Sequence, residues 1–282
     1  MTPENLTGPL AHHAEGPVWW GRENTLLWVD GNAGDLLMLA ADGIRRRHVD
    51  DEYLAFVRPR AGGGLVAVGG RTLLLSDGAD DDFRAVATLP VDERARMNDG
   101  AADPQGRLLA GSMALDGGAP VGSLVRIDAD LHAHTMLTGV TVSNGLAFSP
   151  DGTHAYYVDT ATHRIDVFDV RDGDLTGRRP LVEIPAEQGY PDGLTVAADG
   201  SVWVALWGGA AVQAYDADGA LVARIELPVP QVSACTFGGD DLATLYITTS
   251  AQGLPAGHGT DAGSVYAVRP GVAGLPVSTF AG

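Results

Sequence analysis

Four short stretches of this chain place an oxygen-bearing side chain just ahead of a glycine: Glu15-Gly16, Asn98-Asp99-Gly100, Asn144-Gly145 and Asp192-Gly193. Any one of them alone reads as an ordinary turn. Brought to one point, two carboxylates and two carboxamides make an oxygen-rich, doubly negative site. That chemistry suits a hard divalent cation such as calcium, magnesium or manganese. The glycines let the backbone turn sharply and let neighbouring chain segments approach. Arg96 lies two residues before Asn98, so on a strand the two side chains point the same way. Its planar fork of donors suits a polyhydroxy or carboxylate ligand, although the spacing equally allows a surface ion pair with Asp92, Glu93 or Asp99.

A repeat is what could bring four such positions together. A short β-type segment recurs at Thr25–Asp30 (TLLWVD), Gly64–Gly69 (GLVAVG), Arg107–Ser112 (RLLAGS), His154–Asp159 (HAYYVD), Ser201–Leu206 (SVWVAL) and Thr244–Thr249 (TLYITT), at intervals of 39 to 47 residues. Glu15 precedes its segment by ten residues, Asn98 by nine, Asn144 by ten and Asp192 by nine. A mostly apolar piece lies upstream of each segment, as in Pro17–Trp20, and a further strand-like piece lies downstream, as in Leu36–Leu39. No stretch holds a helical period. Short strands at this spacing, with turn chemistry between them, predict an all-β, six-bladed β-propeller over residues 1–282 as one domain, with a metal site at one mouth of its channel. A β-sandwich pair or another solenoid is the alternative architecture.

Composition narrows the partners. The chain has 282 residues and a formal net charge of −18, and all 18 basic residues are arginine. Such a chain should bind neither nucleic acid nor an anionic membrane through bulk electrostatics. One cysteine, Cys235, excludes an intrachain disulfide and reads as a buried, inert thiol. No apolar run approaches a bilayer span, and no signal peptide is visible. A cytoplasmic monomer is the expectation.

The run Glu15-Gly16-Pro17-Val18-Trp19, the run Arg96-Met97-Asn98-Asp99-Gly100 continuing to Gly111-Ser112-Met113, Ser143-Asn144-Gly145-Leu146, Pro191-Asp192-Gly193-Leu194 and Phe237-Gly238-Gly239 closely resemble the regucalcin (senescence marker protein)/gluconolactonase family. The resemblance runs from about residue 14 to the C-terminus. It implies a metal-dependent sugar lactonase with one divalent ion: calcium, magnesium, manganese or zinc. It makes Glu15, Asn144 and Asp192 metal ligands. It also makes Asn98 a substrate contact that approaches the metal in some members, Arg96 the substrate-holding arginine and Asp192 the general base. A substrate-touching glutamate of regucalcin aligns with Asp116 here, which the resemblance makes a further substrate-binding residue beside Arg96 and Asn98; the loop over residues 114–122 is short and glycine-rich, a departure that leaves the lid and the sugar preference open.

Other conspicuous residues read more plainly. His12 and His13 beside Glu15 invite a zinc reading but have no third partner in a fixed frame. His48, His132, His134, His154, His163 and His258 are scattered. Tyr190 and Trp207 either wall a sugar pocket or pack in the core. Asp80–Asp82 reads as a solvated turn, and Arg45–Arg47 is too short and isolated for nucleic acid. No phosphate-cradling loop and no Gly-x-Ser-x-Gly occurs. The competing functions on this fold are an organophosphate or other ester hydrolase and a non-catalytic calcium- or sugar-binding propeller.

Overall fold

A computed structural model describes residues 1–49, 52–255 and 260–282. Its strands form six four-stranded antiparallel sheets. Blade 1 holds β2 (Ala14–Trp20), β3 (Thr25–Asp30), β4 (Asp35–Ala40) and β5 (Gly43–His48), following the short β1 (Glu4–Asn5). Blade 2 holds β6 (Leu54–Pro59), β7 (Leu65–Gly69), β8 (Thr72–Ser76) and β9 (Arg84–Thr88). Blade 3 holds β10 (Ala95–Ala102), β11 (Leu108–Ala114), β12 (Gly122–Ile127) and β13 (Ala133–Val140). Blade 4 holds β14 (Ser143–Phe148), β15 (His154–Asp159), β16 (Arg164–Arg171) and β17 (Asp174–Glu183). Blade 5 holds β18 (Tyr190–Val196), β19 (Val202–Trp207), β20 (Ala211–Tyr215) and β21 (Leu221–Glu226). Blade 6 holds β22 (Val232–Gly238), β23 (Thr244–Thr249) and β24 (Val265–Val268), and is completed by β1 from the other end of the chain through Glu4↔Ala267 and Asn5↔Tyr266.

The first strand of each blade touches the first strand of the next, and β22 touches β2, so the six form a closed ring. This is the expected six-bladed propeller. The segments that recur in the sequence are the second strands; TLLWVD, HAYYVD and TLYITT coincide with β3, β15 and β23. These strands are buried on both faces, which explains why they read as continuous apolar runs. The outermost strands are largely exposed, and β5 and β17 are polar. Arg45, Arg46 and Arg47 sit on one of them, β5, where Arg45 meets Asp80 at 3.1 Å and Arg47 meets Asp82 at 3.1 Å.

Each innermost strand carries one residue more than its partner at the same point. Asn98 stands unpaired between Met97↔Ser112 and Asp99↔Gly111. The same irregularity occurs at Glu15/Val18, Leu54/Phe56, Ser143/Leu146, Pro191/Leu194 and Val232/Ala234. Such a bulge re-aims a side chain that regular alternation would otherwise place. The oxygen-bearing residues therefore lie inside the first strands, not in loops ahead of them. The adjoining glycines are needed for packing: a Cβ on Gly145 would lie 2.6 Å from Leu194 N, and one on Gly193 would lie 2.4 Å from Ala234 Cβ.

The C-terminal segment crosses the opposite end of the ring. Ala198 N donates to Ala273 O, Gly274 N to Leu242 O, Phe280 N to Pro59 O and Ala281 N to Gly106 O, and Phe280 is fully buried. A cavity of about 320 Å³ remains in the channel, with Val18, Arg58, Ala101, Leu194 and Cys235 on its wall and Leu275–Ser278 bordering it. Among the described residues no helix is long and apolar enough to cross a membrane.

Candidate active site

Three acidic side chains gather where the bulges of blades 1, 3 and 5 face the channel. Glu15 is largely buried, at 15% side-chain exposure. Burial first, and then the Asp99 carboxylate, push its carboxyl up to about 8. Asp192 is raised well above the usual carboxylate range by burial and by the charges of Glu15 and Asp99. Its Oδ1 is buried without a hydrogen-bond partner, an arrangement that costs free energy unless something else meets that oxygen. Asp99 is raised by burial, opposed by Arg58 and by the Gly100 amide, which donates to its Oδ1 at 2.7 Å.

Asn144 is buried, and its orientation is set by its neighbour. Thr160 Oγ1 uses its one proton on Pro191 O at 2.9 Å, so it accepts from Asn144 Nδ2 at 3.1 Å. Asn144 Oδ1 stays available as an acceptor. Asn98 is held differently: Arg96 Nη1 donates to its Oδ1 at 2.8 Å, and its Nδ2 donates to Ser143 O at 2.9 Å. Arg96 also donates to Met97 O and lies 3.7 Å from the centroid of the Tyr53 ring. The Arg96 hydrogen bonds thus go to Asn98 and the backbone, while Asp92 pairs with Arg94. A cavity of about 860 Å³ opens beside Arg96, with Tyr53, Arg71, Glu93 and Leu115 also on its wall.

Asp116 directly follows Leu115, which lies on the wall of that cavity beside Arg96. It is exposed on the loop after β11, and its Oδ1 accepts from the amides of Gly118 and Ala119 at 3.0 and 3.2 Å. Those bonds hold its carboxyl below the usual range. Cys235 is buried with its thiol pushed up by burial, as an inert residue should be. Tyr190 is 45% exposed and its ring lies 4.5 Å from that of His163. His48, His132, His134 and His154 each lie beside an aspartate near the surface, and His258 lies outside the described residues.

Three residues take places at the site that the sequence did not assign them. His13 is buried, with Nδ1 2.9 Å from Ser250 Oγ, Nε2 3.8 Å from Glu15 Oε1 and its ring edge-on to Trp207. Burial, then Arg96, push it down to about 4, so it is neutral near pH 7. Asp99 had looked like a partner for Arg96; its ion pair is with Arg58, at 3.4 Å. Arg58 itself is buried in the first strand of blade 2. A lone arginine inside the apolar run LAFVRP was its only signal.

The SMP-30/gluconolactonase/LRE-like region model matches residues 13–251, from beside Glu15 to the last strands of the ring. The chain belongs to this family. A pentonolactonase of Haloferax volcanii is 36% identical over 255 residues, covering 89% of this chain and 86% of the relative. Regucalcin of Sus scrofa is 33% identical, covering 96% and 95%. The solved structure of a luciferin-regenerating enzyme superposes with a TM-score of 0.90 at 29% identity, covering 99% of both chains. Among the described residues, no group of three or more His, Cys, Asp or Glu side chains is placed to hold a metal ion. A metal site in this family member would therefore need carboxamides alongside Glu15 and Asp192. The donors fit that role: Asp192 Oδ1 is orphaned, Asn144 Oδ1 is free to accept, and the two acids repel each other while buried.

Proposed function

We propose that this protein hydrolyses a sugar lactone to the corresponding aldonic acid, using one divalent metal ion held by Glu15, Asn144 and Asp192. The observation that carries the reading is the buried, unpartnered Asp192 Oδ1 within the field of Glu15 and Asp99. The lactonase among its relatives supports the substrate class. When bound, such an ion supplies electrostatic stabilisation for an oxyanion and a more acidic water.

The chain's own groups do the remaining work. Arg96, braced against Tyr53, and Asn98 orient the sugar hydroxyls, which supplies proximity. Asp192 accepts the proton of a water whose oxygen attacks the lactone carbonyl. The tetrahedral intermediate collapses with cleavage of the ring C–O bond, and the proton returns to the ring oxygen, leaving an open-chain acid. Asn98 belongs with substrate in this reading because Arg96 already engages its Oδ1. Asp116, whose Oδ1 is held by its own loop, is the further candidate to meet a sugar hydroxyl, from beside Leu115 on the cavity wall.

The test is acid release from a panel of aldonolactones, with and without chelator and with several divalent ions added back. Acid release that chelator abolishes and metal restores is the expected result. Metal binding without turnover on any lactone would favour the non-catalytic propeller, and turnover of a phosphotriester alone would favour the organophosphate hydrolase.

A further inference from the structure

Blade 2 brings no oxygen to the ring of bulges; its residue there is Ala55. Three residues later the same strand presents Arg58, 9% exposed, to its neighbours on both sides. Nη1 donates to Gly16 O at 3.0 Å and to Val57 O at 2.8 Å. Nη2 donates to Gly100 O at 2.5 Å and meets Asp99 Oδ1 at 3.4 Å, and the guanidinium lies 4.9 Å from the Phe56 ring centroid. Gly16 directly follows Glu15, and Gly100 directly follows Asp99. One planar cation therefore ties the bulges of blades 1 and 3 across blade 2. A lysine could not span both carbonyls in that way, because it offers a single nitrogen.

We propose that Arg58 is a positioning residue that sets both the geometry and the charge of the site. It fixes the backbone on which Glu15 and the Asn98-Asp99 pair stand. By pairing with Asp99 it removes a third carboxylate from the balance, leaving Glu15 and Asp192 to match a dication. The inference rests on the metal-binding reading above. Charge, unlike shape, has a signature that a scaffold role does not reproduce: preference between ions of similar size and different valence.

The experiment measures calcium binding by calorimetry and terbium(III) binding by luminescence on the full chain and on Arg58→Met, Arg58→Lys, Asp99→Asn and the Arg58→Met/Asp99→Asn double variant. Arg58→Met should raise the terbium-to-calcium affinity ratio by about tenfold or more, since one uncancelled charge nearby favours the higher valence. Adding Asp99→Asn to it should return the ratio to near the wild-type value. Arg58→Lys should keep the wild-type ratio while weakening both ions, because it retains charge and loses the two-sided brace. Asp99→Asn alone should lower the ratio, and it carries the test if Arg58→Met does not fold. Wild-type protein that binds neither ion would overturn the metal reading and this inference with it. Wild-type binding with the same ratio in Arg58→Met, or in Asp99→Asn, would overturn this inference alone.

Discussion

Replacing Glu15 by glutamine should make the metal-free protein more stable in alkali, by an amount the site itself sets. The folded state holds the Glu15 carboxyl at about 8, against an ordinary value of 4.5. Below pH 4.5 the group is protonated whether the chain is folded or not, and it contributes nothing. Between 4.5 and 8 the unfolded chain releases the proton freely while the folded chain retains it, so stability falls as pH rises; above 8 the loss is complete. A rise of this size corresponds to about 5 kcal/mol at most, and to less where Asp192 shares the proton. For a chain of this length that is at most roughly 10 °C in melting temperature at about 2 °C per kcal/mol. The assay is thermal unfolding from pH 5 to 9 in chelator, comparing wild type with Glu15→Gln. The two curves should converge near pH 5 and separate toward pH 9, with the variant higher. Saturating calcium should reverse the order, since the wild type gains a ligand the variant lacks. Curves that run parallel across the range would refute the argument, because the wider charge of the protein is nearly the same in both.

Asp192→Asn should lower kcat by about two to four orders of magnitude, the scale for a general base, while melting in chelator at neutral pH holds or rises, because the amide removes another carboxyl that burial pushes up; wild-type turnover at saturating metal would sink both of its roles. Arg96→Ala should leave metal affinity nearly unchanged and cost about 1–3 kcal/mol in kcat/KM, read by calorimetry beside lactone kinetics; lost metal affinity with unchanged kcat/KM would make it a support for Asn98. Gly193→Ala forces a Cβ to 2.4 Å from Ala234 Cβ and should destabilise the protein by about 1–3 kcal/mol in denaturant unfolding.

What the sequence disclosed follows from what each element must do. The second strands are buried on both faces, so their apolar character survives in any one repeat and marks the ring. The outer strands GIRRRH and DLTGRRPLVE face solvent, where no hydrophobic pattern is required and none is seen. The two-residue β1 is chosen by pairing with β24, a partner more than 250 residues away, so local propensity carries no trace of it. Glu15, Asn144 and Asp192 were legible because each keeps a glycine that packing demands. Arg58 and His13 were not, because their partners lie on other blades: Gly16 and Gly100 for the one, Ser250 and Trp207 for the other.

The bulge shared by all six first strands makes the ring a set of sockets at which the regular pairing of the ladder is interrupted. A polar residue that is unpaired in the ladder can change type while its neighbours go on packing. Here Asn98, Asn144 and Asp192 are unpaired oxygen donors, and Glu15, paired with Val29, stands at the edge of its bulge. Ser233 spends its hydroxyl on Ala14 O and Thr248 Oγ1, and Ala55 leaves its socket blank. New chemistry on this scaffold is therefore most accessible at the bulge positions that already carry polar side chains, since Ala55 is packed in the apolar core with Phe56 and Met97. A ring assembled in this way diversifies by editing single letters, which separates the inheritance of its architecture from that of its reaction.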